Sequence, residues 1–296
     1  MRKPTDLWHV GIVHAPVQAL LHAQTPPPIT WLPRQRSFAF LADPFALRHD
    51  SGALTVFVEA FDYRDKRGEI HYYHYAPDYR LVANGTALRA PVHLSYPFLI
   101  QHRGATYLLP EAHRTGKLTL YRSVRLPDEW QPVADLLPLP AIDASVIEHA
   151  GRWWMFFALP GPDGRALREL HIAYADDLLG PWQLHAGNPV RTGLASSRMG
   201  GTPFMHEGAL HLPMQDCSRT YGGGIQCLRV DALSPTEFSA TPMATLTAQG
   251  FHPDFPDGIH TLASCGDMTM IDVKRDERSI RRIAIDWQRR FRRWRA

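Results

Sequence analysis

The chain has 296 residues, 45% of them hydrophobic, enough for a large core, and its 25 prolines and 21 glycines suit many short strands joined by turns. Its net charge of +3 conceals an asymmetry: residues 275–296 carry nine arginines against Asp276, Glu277 and Asp286, so the remainder is mildly acidic and does not read as a nucleic-acid binder. No run of about 18 apolar residues could cross a membrane as a helix, the first residues lack the apolar stretch of a secretory signal, and Cys217, Cys227 and Cys265 lack metal-ligand spacing and read as reduced thiols of a cytoplasmic protein.

Residues 1–37 form a mixed leading segment. Within it, residues 7–13 read as a strand that closes against the last repeat, and residues 24–31 as a proline-stiffened connector. A recurring unit follows. Its clearest copy is Asp143-Ala-Ser-Val-Ile-Glu-His-Ala-Gly-Arg-Trp-Trp-Met-Phe-Phe-Ala158: an alternating strand, a tight turn, then an aromatic strand buried on both faces. Other copies run over 43–59, 95–111 and 202–216, and a fainter one over 260–273. The turn glycines Gly52, Gly104, Gly151, Gly208 and Gly266 are spaced by 52, 47, 57 and 58 residues.

Five hairpins at that period, each with room for four strands, predict an all-β fold: a five-bladed β-propeller over residues 38–275. The blades begin near residues 38, 92, 141, 197 and 258, and the fifth is short. Residues 70–75 read as an outer strand, which makes His71 and His74 surface or packing residues. His102, His149 and His206 each precede an x-Gly pair and read as turn chemistry, not ligands. From 276 to 296 the period changes. Apolar residues at 280, 283, 287, 291 and 294 fall on one face of a basic amphipathic C-terminal helix. That helix either docks on the propeller through Ile280, Ile283 and Trp287 or lies on an anionic membrane surface.

Propeller blades are radial, so their innermost strands line one funnel and bring their leading residues together. Those leaders are Asp43, Tyr96, Asp143, Arg198 and His260. Glu59 and Glu111 each follow their turn glycine by seven residues; the strand-ending Leu109-Pro-Glu111 marks Glu111 as the functional one. Gln215, Asp216 and Arg219 cluster after the fourth hairpin. Tyr221-Gly-Gly-Gly224 lacks the strand–loop–helix context of a phosphate loop and reads as a tight crossing near the pocket floor.

Ala42-Asp-Pro-Phe45, Asp143, Asp-Leu-Leu-Gly-Pro-Trp182 and Asn188-Pro-Val resemble the five-bladed propellers of the arabinanase, levansucrase and invertase superfamily, with glycoside hydrolase family 43 as the related hydrolases. A more specific resemblance covers about residues 35–275. Asp43-Pro-Phe, His93-Leu-Ser-Tyr-Pro97, Leu109-Pro-Glu111, Asp143-Ala-Ser, Gln215-Asp-Cys-Ser-Arg-Thr-Tyr-Gly-Gly-Gly-Ile225 and Gly258-Ile-His260 are similar to the N-terminal propeller domain of glucosamine inositolphosphorylceramide transferase and its bacterial stand-alone relatives.

In the hydrolase family the first-blade aspartate is an inverting general base, the third-blade aspartate tunes and orients, and a fourth-blade glutamate is the acid. The resemblance gives the first two roles to Asp43 and Asp143. The fourth blade opens instead with Ser197-Arg-Met-Gly-Gly-Thr-Pro203. Cleaving an unactivated glycoside takes two carboxyls flanking the bond, so either Glu111 or Asp216 supplies the acid, or the leaving group is already a phosphate. In the second case one base acts on an acceptor hydroxyl while Arg198, Arg219 and His260 neutralise the departing charge; Tyr96 and Gln215 complete the expected substrate-binding set.

Three functions follow as expectations. They are a glycosyltransferase-type enzyme taking a sugar donor and a glycan or lipid-linked acceptor, an inverting furanoside hydrolase, and a non-catalytic sugar-binding propeller. No cofactor and no metal ligands are expected, with a structural or substrate-linked divalent cation left open. The expected location is cytoplasmic, at the inner membrane face through residues 279–296, with no nucleic-acid partner.

Overall fold

The computed structural model describes residues 5–23 and 25–279, together with 283, 285 and 287. Five antiparallel sheets surround one centre. The first blade is Ala39–Arg48, Leu54–Asp62, Arg67–Tyr75 and Leu81–Leu88. The second is Ser95–His102, Ala105–Glu111, Leu118–Arg125 and Glu129–Leu137. The third is Ile142–His149, Arg152–Ala158, Glu169–Ala175 and the two-residue Gln183–Leu184. The fourth has an interrupted inner strand, Arg198–Met199 and Phe204–His206, followed by Ala209–Asp216, Gly224–Leu233 and Phe238–Leu246. The expected five-bladed propeller is present.

Turn chemistry sets the hairpins. Arg103-Gly104, Ala150-Gly151 and Glu207-Gly208 each place two successive residues at positive φ. That is the backbone of the two-residue turn whose twist matches a right-twisted strand pair. The flanking pairs His102–Ala105, His149–Arg152 and His206–Ala209 are in register across each turn. The three His-x-Gly repeats are therefore hairpin turns.

The second strand of each blade is buried on both sides, because neighbouring blades pack face to face. Trp153, Trp154, Met155, Phe156 and Phe157 are all under 7% exposed, each contributing about 1.5–3 kcal/mol of burial. Trp154 and Phe156 face the fourth blade with Met199, Leu212 and Met214, whereas Trp153, Met155 and Phe157 face the second blade's side. Arg67–Tyr75 is a third strand, not an outer one, since Leu81–Leu88 covers it; His71 and His74 are half-buried, and His74 contacts Thr55 Oγ1 at 2.8 Å.

The fifth blade joins the first and last described strands. Gly258–Cys265 and Met268–Glu277 are its inner strands, and Thr5–Val13 and Ile29–Trp31 its outer ones. Thr5–Val13 pairs along its whole length with Met268–Glu277, from Thr5 opposite Glu277 to Val13 opposite Thr269. The leading segment is thus part of the ring, and the fifth blade is as complete as the others. The expected C-terminal helix falls outside the described residues except at Ile283, Ile285 and Trp287, of which Ile285 is buried and Trp287 is 57% exposed. Among the described residues no helix is long and apolar enough to cross a membrane.

Candidate functional site

Each inner strand breaks its pairing where it reaches the funnel. The register shifts between Ala42 and Phe45, Ser95 and Phe98, Ile142 and Ser145, and Ile259 and Thr261. These are β-bulges, which re-aim a side chain and release a backbone N–H from the ladder. Asp43, Tyr96 and Asp143 sit in the bulges at φ of 50°, 45° and 49°, a region side-chain-bearing residues rarely adopt.

The released amides turn toward the preceding blade. Asp43 N–H donates to Asp272 Oδ2 (2.9 Å), Tyr96 N–H to Asp43 Oδ2 (3.2 Å) and Asp143 N–H to Glu111 Oε2 (3.4 Å). The acceptors Asp272 and Glu111 come from second strands, at the positions facing the bulges; Glu59 and Gln215 occupy the same place in the first and fourth blades, and Ala158 in the third. A ring of carboxylates is thereby stitched from blade to blade.

Two charged pairs dominate it. Arg198 Nε donates to Asp143 Oδ2 at 2.6 Å, and Gln215 Nε2 donates to the same oxygen at 2.9 Å. The Arg198 side chain is 12% exposed. On the other side, His260 Nδ1 donates to Asp272 Oδ1 at 2.8 Å, and His260 Nε2 lies 3.5 Å from Asp43 Oδ1. Thr261 Oγ1 donates to Asp43 Oδ1 at 3.4 Å. Tyr221 links the pairs, with the Arg198 guanidinium over its ring at 5.4 Å and its edge against His260 at 5.4 Å.

Burial divides the carboxyls. It raises Asp43 from 3.8 to about 6, with His260 opposing and Asp272 and Glu111 reinforcing the rise. Burial also lifts Glu59 well above the ordinary range, aided by the charges of Asp43 and Glu111. For Asp272, burial is outweighed by the charge and hydrogen bond of His260, which hold it below its ordinary value. His260 rises in return: burial lowers it, but Asp272 prevails. Burial pushes Glu111 up, yet its bond to His113 Nδ1 (2.7 Å) and the Arg198 charge leave it low. Burial raises Asp143 against the Arg198 charge, while Arg198, disfavoured by burial, is held charged chiefly by Asp143.

Of the residues expected from the sequence, Asp43, Glu111, Asp143, Arg198, Gln215 and His260 converge here. Tyr96 is central but fully buried. Its hydroxyl lies 2.8 Å from Ser145 Oγ and 3.2 Å from Gly201 O, Ser145 Oγ is 3.0 Å from that same carbonyl, and Gly201 N–H donates to Tyr96 Oη (2.7 Å), closing a ring of bonds between three blades. Asp216 ends the strand that carries Gln215, and Arg219 stands in the loop that follows it. Asp216 is half-buried and accepts the Ser218 N–H and O–H at 2.9 and 2.5 Å, while Arg219 is exposed.

The structure adds Glu59 and Asp272. Both were signalled by spacing, seven residues past Gly52 and six past Gly266. Among the described residues, Asp43, His260 and Asp272 are the group whose ligand atoms lie close enough to hold a cation, within 4.8 Å of one another. Asp272 Oδ1, however, already accepts the His260 N–H, the Thr261 N–H and His260 Nδ1–H, and its Oδ2 accepts the Asp43 N–H. Those bonds make Asp272 an anchor for the bulges and for His260.

Residues 33–250 match the family described as glucosamine inositolphosphorylceramide transferase 1, N-terminal. The chain belongs to this family. Glucosamine inositolphosphorylceramide transferase 1 of Oryza sativa subsp. indica is 37% identical over 164 residues, 54% of this chain and 22% of that protein. The Arabidopsis thaliana protein of the same name is 34% identical over 157 residues, 52% of this chain and 20% of its own. The match thus spans about a fifth of the length of these relatives.

Among solved structures, an α-L-arabinofuranosidase from Lactobacillus brevis superposes with a TM-score of 0.57 at 15% identity, covering 82% of this chain and 86% of that one. A GH43 β-xylosidase/α-arabinofuranosidase from a compost microbial metagenome gives 0.54 at 14% identity, covering 80% and 91%. At such identities the likeness concerns the fold. The glucosamine inositolphosphorylceramide transferase N-terminal family and the family 43 glycosidases therefore share the five-bladed propeller expected from the sequence.

Proposed function

We propose that this propeller is a glycosyltransferase-type enzyme that moves a sugar from a phosphate-bearing donor to a hydroxyl of a glycan or lipid-linked acceptor. The observation that carries the reading is the pairing of one titratable base with a cationic wall. Asp43 is raised to about 6, near the optimum for a base working at neutral pH, and it faces His260 at 3.5 Å. The fourth blade presents Arg198 where the resembling hydrolases carry an acid.

In the reaction, Asp43 takes the acceptor O–H proton as the acceptor oxygen bonds to the anomeric carbon. The bond from that carbon to the donor phosphate breaks, its electron pair leaving with the phosphate. Arg198 and His260 balance the charge that develops there. No acid is required, because a phosphate leaves as an anion. The names of the plant relatives agree with glycosyl transfer to a lipid carrying inositol phosphate. A cytoplasmic site at the membrane face, held by the basic residues beyond 279, belongs to the same proposal and predicts binding to anionic vesicles that is lost on deleting that tail.

One observation favours a second reading, inverting glycoside hydrolysis. Burial holds the Glu59 carboxyl well above its ordinary range in the same cluster as Asp43, and two carboxyls pushed apart in acidity are what such hydrolysis needs. Calorimetric titration with a panel of sugar nucleotides, beside turnover of aryl furanosides, separates the two. Transfer predicts donor binding that weakens at least tenfold in Arg198→Lys, and no furanoside cleavage. Transfer that persists unchanged in Asp43→Asn would exclude Asp43 as the base.

A further inference from the structure

The N-terminal strand does more than close the ring. On it, Trp8 stands opposite Lys274, and the Trp8 indole stacks on the His260 imidazole with centroids 3.7 Å apart and planes 10° apart. Lys274 is fully buried, its ammonium 5.8 Å from the centre of the Trp8 ring. A buried ammonium needs acceptors and counter-charge. Lys274 Nζ donates to Thr220 Oγ1 at 3.1 Å and to Tyr221 O at 2.9 Å, and lies 3.3 Å from Asp276 Oδ1 and 3.9 Å from Asp6 Oδ1.

Both hydrogen-bond acceptors belong to the loop that carries Tyr221, and the loop has no slack. Gly222 has φ +59°, and a Cβ there would stand 2.6 Å from Trp8 Cη2 and 2.8 Å from His260 Cβ. A Cβ on Gly258 would stand 2.2 Å from Gly222 O. Gly223 N–H donates to Asp216 O at 3.0 Å, completing a tight turn. The ring of Tyr221 is thereby set between Arg198 and His260, both contacts being 5.4 Å.

We propose that Lys274 and Trp8 are positioning residues that seat the 220–224 loop and hold Tyr221 between Arg198 and His260, so that the N-terminal strand is part of the ligand site. This deepens the function proposed above and rests on the cluster being that site, but its test needs no sugar donor. Lys274→Met removes the ammonium, Thr220→Val removes one of its acceptors without uncovering a buried charge, and Trp8→Phe keeps a ring against His260. Two readouts apply: hydrogen exchange of the backbone over 217–224, and the NMR titration of the His260 ring.

In Thr220→Val and Lys274→Met, exchange over 217–224 is expected to rise about tenfold and the His260 midpoint to move, while residues 105–111 keep wild-type exchange. Trp8→Phe is expected to show the smaller change of each. If Lys274→Met does not fold, Thr220→Val decides alone. Wild-type exchange and a wild-type His260 titration in Thr220→Val would overturn the proposal, as would an equal rise in exchange over 105–111. A protein that shows the expected changes yet binds no sugar nucleotide would overturn the transfer reading and leave the positioning role in place.

Discussion

Asp43 shows how one buried carboxyl sets both activity and stability. Its folded-state value of about 6 lies above its ordinary 3.8, so between those values the folded protein holds a proton that the unfolded chain has released. The stability that Asp43 contributes therefore falls as pH rises from about 4 to about 6 and changes no further above that, the full cost of this group being at most about 3 kcal/mol. Asp43→Asn is expected to raise the melting temperature at pH 8 and leave it unchanged at pH 4, which calorimetry at the two pH values would check. Turnover should follow the opposite limb, rising as Asp43 loses its proton near pH 6. Arg198 behaves differently. Arg198→Leu leaves Asp143 buried without its partner at 2.6 Å, and urea unfolding should register a loss of about 3–5 kcal/mol.

At the scale of elements, the β-bulge is the working part. It costs a strained backbone at Asp43, Tyr96 and Asp143, and in return aims each side chain inward and frees an amide for the preceding blade's carboxylate. The fourth blade solves the same problem with glycine. Gly201, at φ +135°, bridges to Leu262 and closes the Tyr96–Ser145 ring of bonds. A Cβ on Gly201 would stand 2.1 Å from Leu262 O, a backbone atom that cannot swing away. Gly201→Ala is therefore expected to lose more than about 3 kcal/mol. Gly208→Ala meets no atom within 4 Å and should lose about 1 kcal/mol from its positive φ alone. Denaturant midpoints of the two variants give the comparison directly.

At the scale of the whole molecule, stability depends on ring closure. Thr5 pairs with Glu277, which brings the first and last described strands side by side. A glycine–serine linker joining the chain ends, with new ends opened at the exposed Arg103-Gly104 turn, should fold with a melting temperature within about 5 °C of wild type. Loop closure costs little when the joined strands are already neighbours. Deleting residues 1–13 should instead abolish cooperative unfolding, because it uncovers the hydrophobic side of Met268–Glu277 and removes Trp8 from His260. Thermal scans of both proteins separate closure by pairing from simple chain continuity.

The amino-acid sequence by itself determined the repeat. Glycines near every fiftieth residue, with alternating strands before them and aromatic strands after them, leave five four-stranded blades as the way to bury both faces of segments such as Trp153–Phe157. It also marked the inner-strand leaders Asp43, Asp143, Arg198 and His260, since blade geometry dictates where a strand begins. Only the tertiary structure decided what surrounds them. Asp216 and Arg219 were expected in the site on chemistry alone; the structure gives Asp216 to the Ser218 turn and leaves Arg219 exposed. Trp8 joins the site through pairing between residues more than 260 positions apart in the chain, Trp8 with Lys274 and His9 with Val273. The sequence marked residues 7–13 as the closing strand, but not the register that puts Trp8 against His260. It is settled when the ring closes and each buried charge must find its partner.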